Sequence, residues 1–188
     1  MVIMRVIIII FIIIFCNISF ANNIGTETGL EIPRYVSLKS NDANIRVGPS
    51  KNYPILIKYV VNNYPLKILE EYGDWRKTID FQNNEGWIHK SLISGQRNGI
   101  IVSTTEEKIY LFNVVGGKII GEIEIGLIVT LSKCKLNWCL ISMDNYQGWI
   151  EKKYIWGVRD NEQINIGYTQ IIIDNYFRFL NLIENVIN

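Results

Sequence analysis

Two tryptophan-centred frames recur in this chain of 188 residues, and no other feature narrows the possible folds as much. Asp74-Trp75-Arg76-Lys77-Thr78-Ile79 corresponds to Asn137-Trp138-Cys139-Leu140-Ile141-Ser142. Glu85-Gly86-Trp87-Ile88-His89 corresponds to Gln147-Gly148-Trp149-Ile150-Glu151, and Leu66-Lys67-Ile68-Leu69 to Val129-Thr130-Leu131-Ser132. The first tryptophans lie 63 positions apart and the second pair 62. A period of about 60 residues exceeds a solenoid repeat and matches a small whole domain. The chain is thus expected to fold as two successive copies of one small unit.

Each copy is punctuated as a set of short strands. Arg34–Leu38, Ala43–Val47, Ile55–Val61, Leu66–Glu71, Trp75–Phe81 and Glu85–His89 are strand-like. They are separated by turn formers at Lys39–Asp42, Gly48–Pro54, Asn62–Pro65, Tyr72–Asp74 and Gln82–Asn84. Turn signals at this spacing mark a small all-β barrel or sandwich. Gln96-Arg97-Asn98-Gly99 separates the copies, and Lys108-Ile109-Tyr110-Leu111 aligns with Asn44-Ile45-Arg46-Val47. The domain boundaries are 34–97 and 99–158, with Asn22–Pro33 an extended, mobile leader and 159–188 a tail. In the tail, Asp174 is placed to cap a helix over Asn175–Val186, striped by Phe177, Leu180, Ile183 and Ile187. Gln170-Ile171-Ile172-Ile173 is equally suited to continue as a strand.

The first 21 residues have a different character. Arg5 precedes a wholly apolar run, Val6–Phe15, and Ser19 and Ala21 stand at the −3 and −1 positions of a cut after Ala21. That is the layout of a cleaved secretory signal peptide at 1–21. A retained anchor is the alternative, although the run is short for a bilayer span, and a lipid anchor on Cys16 suffers from the bulky Phe15 before it. Cleavage removes Arg5 and no acid, so the formal charge of +1 falls to 0. A neutral chain with no polybasic patch argues against nucleic acid and against anionic lipid as partners, and leaves no stable membrane span. Of the three cysteines, Cys134 and Cys139 remain. An even pair in an exported chain reads as a disulfide across a hairpin turn, worth about 2 kcal/mol in chain-entropy terms. A redox pair prefers two intervening residues, and half a zinc site lacks further ligands.

Val36-Ser37-Leu38, Asn44-Ile45-Arg46-Val47-Gly48-Pro49-Ser50, Tyr53-Pro54, Asp74-Trp75-Arg76 and Glu85-Gly86-Trp87-Ile88-His89 carry a family likeness. They resemble the bacterial SH3-like (SH3b) domain, and more closely the exported alphaproteobacterial proteins that hold two such domains in tandem. The second copy joins through Cys134, Asn137-Trp138-Cys139, Gly148-Trp149-Ile150 and Trp156-Gly157, and departs where no Arg and no Gly-Pro-Ser follows its second strand. The resemblance implies an all-β fold of two tandem small barrels and a binding or targeting role. Related domains attach enzymes to peptidoglycan or hold short peptides.

The residues themselves offer little for catalysis. His89 is the only histidine, and Glu151 takes its place in the second copy, which marks a surface position. The cysteines are spaced for a disulfide and sit in the other copy, so no thiolate–histidine pair is foreseen. Glu70-Glu71 and Glu106-Glu107 are expected on solvated faces. The reading is non-enzymatic, with no catalytic residues, no cofactor and no metal. Trp75, Trp87, Trp138 and Trp149 are assigned first to packing within a very small domain. Recognition of a cell-envelope partner, peptidoglycan or a protein or peptide, is assigned to Arg46, Tyr53 and Pro54, with Trp75 and Trp87 as the neighbouring aromatics. A structural scaffold in an envelope assembly and a divergent wall hydrolase are the alternative functions.

Overall fold

The computed structural model describes residues 23–105 and 108–165. The signal segment at 1–21 and the helix or strand foreseen within 170–186 lie outside the described residues. Within them the chain is strands and turns, with two single 3₁₀ turns. The first set is β1 (Arg34–Leu38), β2 (Ala43–Arg46), β3 (Ile55–Tyr59), β4 (Pro65–Tyr72), β5 (Trp75–Ile79), β6 (Glu85–His89) and β7 (Ile93–Ser94). The second is β8 (Asn98–Ile101), β9 (Ile109–Phe112), β10 (Ile119–Ile123), β11 (Ile128–Lys135), β12 (Trp138–Met143), β13 (Tyr146–Glu151) and β14 (Ile155–Trp156).

Each set forms one seven-stranded antiparallel sheet, ordered β3-β2-β6-β5-β4-β1-β7 and β10-β9-β13-β12-β11-β8-β14. The two orders are the same permutation, so the sequence duplication is a duplication of topology. Alternation along the strands selects the core: Ile45, Leu66, Ile68 and Ile88 fill the first copy, and Val129, Leu131, Ile141 and Ile150 the second. Three turns fall at residues that tolerate left-handed backbone, with Asn63, Asn83 and Asp144 at φ 61°, 67° and 50°, whereas the β11–β12 turn places Leu136 there at φ 46°. Beneath the β5–β6 turn the buried Asp80 accepts from the Tyr59 hydroxyl at 2.7 Å and from the amides of Gln82 and Asn84 at 2.9 and 2.8 Å. Burial opposes its charge, but these donors and the Asn84 side chain hold its pKa below the ordinary value.

The Gly-Trp-Ile frame has a packing reason. Side chains alternate along β6, so Ile88 enters the core, Trp87 faces outward, and Gly86 faces inward beneath β2. A Cβ on Gly86 would sit 2.9 Å from the Arg46 carbonyl oxygen and against the Ile45 side chain. Only glycine lets β2 lie that close.

Two expectations about the hairpins need correction. Pairing places Ile109 opposite Ile123 as Ala43 is opposite Tyr59, so Leu111 is equivalent to Ile45 and Phe112 to Arg46. The sequence alignment was two residues out of register. A slip of two keeps every side chain on its own face, so the hydrophobic pattern does not detect it. Glu71 is no solvated acid: its side chain is 0% exposed. Its Oε1 lies 2.7 Å from Arg34 Nη2 and 3.4 Å from Arg76 Nε.

The leader is also folded back on itself and not extended. Ile24 pairs with Glu31, and the loop between them delivers the amides of Glu27 and Thr28, each at 2.9 Å, and the Thr28 hydroxyl at 2.8 Å to the Glu71 carboxylate. Burial would raise the Glu71 pKa, but the Arg34 guanidinium and the Thr28 and Glu27 donors outweigh it and bring it to about 2. The equivalent of Glu71 in the second copy is Cys134, bonded to Cys139 directly across the β11–β12 hairpin. Arg97, equivalent to Arg34, turns to Glu162 of the tail at 2.7 Å, and Ile164 pairs with the Cys134 backbone.

The copies touch through the surfaces near these clasps. Tyr35 meets Trp156 edge-on with centroids 5.2 Å apart, and the Arg97 guanidinium stands 5.6 Å from the Tyr35 ring. The Ser37 hydroxyl donates to the Gln96 carbonyl at 2.8 Å, and Arg159 reaches Glu31 at 3.0 Å.

Candidate functional site

The outward face of the first barrel collects the residues singled out from the sequence. On β6, Glu85, Trp87 and His89 alternate with the buried Gly86 and Ile88. Arg46 of β2 lies opposite Trp87 on one side, and Lys77 of β5 on the other. One step along, Trp75 is opposite His89, their rings edge-on at 5.4 Å. Trp75 is therefore the diagonal neighbour of Trp87, within reach of a large side chain. Neither belongs to the hydrophobic core, which is aliphatic apart from Tyr59. Of the core or edge packing expected of these tryptophans, the structure shows the latter: both are half-buried on the outer surface of the sheet.

The Gly48–Pro54 loop is fastened to this face by backbone and side-chain bonds. Arg46 Nη1 donates to the Tyr53 carbonyl at 2.7 Å, and the Val47 amide donates to the Pro54 carbonyl at 3.1 Å. The Tyr53 ring lies over Gly48, where a Cβ would approach to 2.7 Å, and Tyr53 remains 46% exposed. Arg46, Tyr53, Pro54 and Trp87 are thus brought together, with Trp75 beside them. Among the described residues Arg46 pairs with no carboxylate, whereas Lys77 is neutralised by Glu70 at 2.8 Å and Glu85 at 3.7 Å.

His89 is occupied locally. Its Nδ1 lies 2.8 Å from the Ser91 hydroxyl and accepts from the Ser91 amide at 3.3 Å, capping the 3₁₀ turn Lys90–Leu92. Its Nε2 is 3.9 Å from Asp74, which in turn holds Lys90 at 2.7 Å. The Lys90 ammonium beside Asp74 lowers that carboxyl's pKa. Among the described residues no group of three or more His, Cys, Asp or Glu side chains is placed to hold a metal, and no helix is long and apolar enough to cross a membrane.

The second barrel presents a different surface at the same positions. Phe112 replaces Arg46, Leu140 replaces Lys77 and Glu151 replaces His89 around Trp149 and Trp138. Phe112 and Trp138 meet edge-on at 5.4 Å, and Lys135 Nζ stands 5.5 Å from the Trp149 ring. The roles of Lys77 and Leu140 in these faces were not foreseen, although their alternation with Arg76, Thr78, Cys139 and Ile141 carried the signal.

The match to a known domain family agrees with this architecture. The bacterial SH3 domain family matches residues 39–95 and 116–157, together more than half of the chain. No curated protein sequence matches. Among solved structures, NlpC1 from Trichomonas vaginalis is similar at 17% identity and TM-score 0.29, covering 70% of this chain and 48% of that one. NlpC2 from the same organism is similar at 13% identity and TM-score 0.29, covering 66% of this chain and 48% of its own. An NlpC/P60 family protein from Bacillus cereus shows 12% identity and TM-score 0.29 over 74% of this chain and 61% of its own. The chain spans about half to three-fifths of the length of these structures. With one matched stretch in each barrel, the chain belongs to the bacterial SH3 domain family.

Proposed function

We propose that the protein is a non-enzymatic binding module of the cell envelope, exported by its first 21 residues. Its first barrel would hold peptidoglycan or a short peptide at the face built by Arg46, Tyr53, Pro54, Trp75 and Trp87. The observation that carries this reading is the placement of Trp87 and Trp75 outside the aliphatic core, beside an arginine without a carboxylate partner among the described residues. Half-exposed indoles supply flat apolar area at low conformational cost, and the guanidinium adds directional donors. Family membership favours the same partner class, since bacterial SH3 domains serve attachment to wall material.

Co-sedimentation of the purified protein with purified peptidoglycan tests the reading. Pelleting is expected, reduced about tenfold or more in affinity by Trp87→Ala and weakened by Arg46→Ala and Tyr53→Ala. Absence of pelleting by the unaltered protein sinks the peptidoglycan assignment. Release of soluble muropeptides, abolished by His89→Ala, would overturn the non-enzymatic one.

A further inference from the structure

Each sheet ends on one side in a strand that pairs with a single neighbour among the described residues, β3 with β2 and β10 with β9. Ile55 and Leu56 of β3 are each 51% exposed, and the equivalent Ile119 and Ile120 of β10 are 56% and 54% exposed. The unpaired N–H and C=O groups of such an edge invite another strand, and proteins guard against this with proline or lysine. β3 is guarded in both ways. Pro54, which has no N–H to donate, precedes it, and the exposed Lys58 stands within it. β10 has neither, and the exposed Val114, Val115 and Ile125 extend its apolar surface.

Gly121 lies in the middle of β10, where glycine weakens a strand. The backbone does not require it, since its φ is outside the left-handed region and a Cβ built there would meet nothing within 4 Å. The bulge beside it does not require it either. β3 makes the same bulge at Leu56 with Ile57 in the place of the glycine. A glycine that its own chain does not call for marks a place where another backbone approaches closely. Three positions to either side of Gly121 stand charges of opposite sign, Lys118 and Glu124, both exposed. Neither joins an ion pair among the described residues, the neighbouring Lys108–Glu122 pair at 2.9 Å being separate from them.

We propose that β10 is a dimerisation edge, at which two chains join their second sheets antiparallel about a two-fold axis through Gly121. In that register Lys118 of each chain faces Glu124 of the other, so one substitution acts twice. Ile119 of each chain likewise faces Ile123 of the other, which covers the exposed Ile119 with apolar surface. The symmetric order of the charges selects a second copy of this chain over an unrelated strand. β3 cannot take its place, because it holds no acid to answer Lys118. The contact uses the same patch on both chains, so it closes at two and leaves no edge for further growth.

Sedimentation equilibrium of the full-length protein from about 1 μM to about 1 mM tests the edge. A monomer–dimer equilibrium is expected. Lys118→Glu and Glu124→Lys should each weaken it about tenfold, because each places two like-charge pairs across the strands, and the double variant should restore it. Both side chains are exposed, so the melting temperature of the variants should match that of the unaltered protein at concentrations where all are monomeric. Lys58→Glu, on the guarded edge, should leave the equilibrium unchanged. A protein monomeric over the whole range, dimers equally tight in both single variants, a double variant no tighter than the singles, or weakening by Lys58→Glu would each overturn the proposal.

Discussion

Replacing Glu71 by glutamine tests the most unexpected contact in the molecule. The amide keeps the shape of the carboxylate and can still accept from the leader, but it removes the counter-charge of two guanidiniums. Arg34 and Arg76 have side chains only 15% and 5% exposed. A glutamate held at about 2 against an ordinary 4.5 contributes about 3 kcal/mol of folding free energy at neutral pH. Leaving buried charges without a partner costs about the same, 3–5 kcal/mol. Glu71→Gln should therefore lower the melting temperature by about 10 °C at pH 7, for a chain of this size. The folded state favours the charged form, so the contribution is complete above about pH 4.5 and is lost as pH falls towards 2. Thermal melts between pH 7 and pH 2 should thus show a steeper decline in the unaltered protein than in the variant, and the two should converge in acid. Other carboxylates titrate in both proteins, so the difference isolates Glu71. Limited proteolysis should also cut the variant within the Thr26–Gly29 loop. Parallel pH profiles, or a loop equally resistant in both proteins, would refute the reasoning.

Two further outcomes follow from buried groups elsewhere. Tyr59→Phe removes one of the donors to Asp80 and should cost about 2 kcal/mol, the worth of a hydrogen bond to a charged acceptor, read as a lower urea midpoint; an unchanged midpoint would show that Asp80 is satisfied without it. Reduction of the Cys134–Cys139 bond should cost about 2 kcal/mol by the same measurement, and coincident midpoints for oxidised and reduced protein would contradict a stabilising role.

Much of the fold was legible because it rests on local signals. The tryptophan frames, the asparagine and glycine turns and the two-residue alternation of β4–β6 placed those strands almost where they lie. The cysteine pair was legible for the same reason, being five positions apart across one turn. What escaped the sequence depends on partners brought from afar. Glu71 is buried only because Arg34 and Arg76 converge on it, and the leader is fastened only because Glu71 receives its amides. Ile164 joins the sheet through the free edge of Cys134, a vacancy no periodicity announces. The candidate face was half legible. Arg46, Tyr53 and Trp87 meet as foreseen from the loop, but the outward turn of the tryptophans required knowing that mainly aliphatic side chains fill so small a core.

Glu71 and Cys134 occupy the same place in their hairpins, yet one is fastened by ions and the other by a covalent bond. The front of the chain is therefore sensitive to proton activity and the rear to thiol reductants. Acid would loosen the leader at Glu71 and leave the Cys134–Cys139 link intact. A thiol reductant would open the Cys134–Cys139 link and leave Glu71 charged, so equivalent hairpins of one duplicated scaffold yield to different chemical stresses.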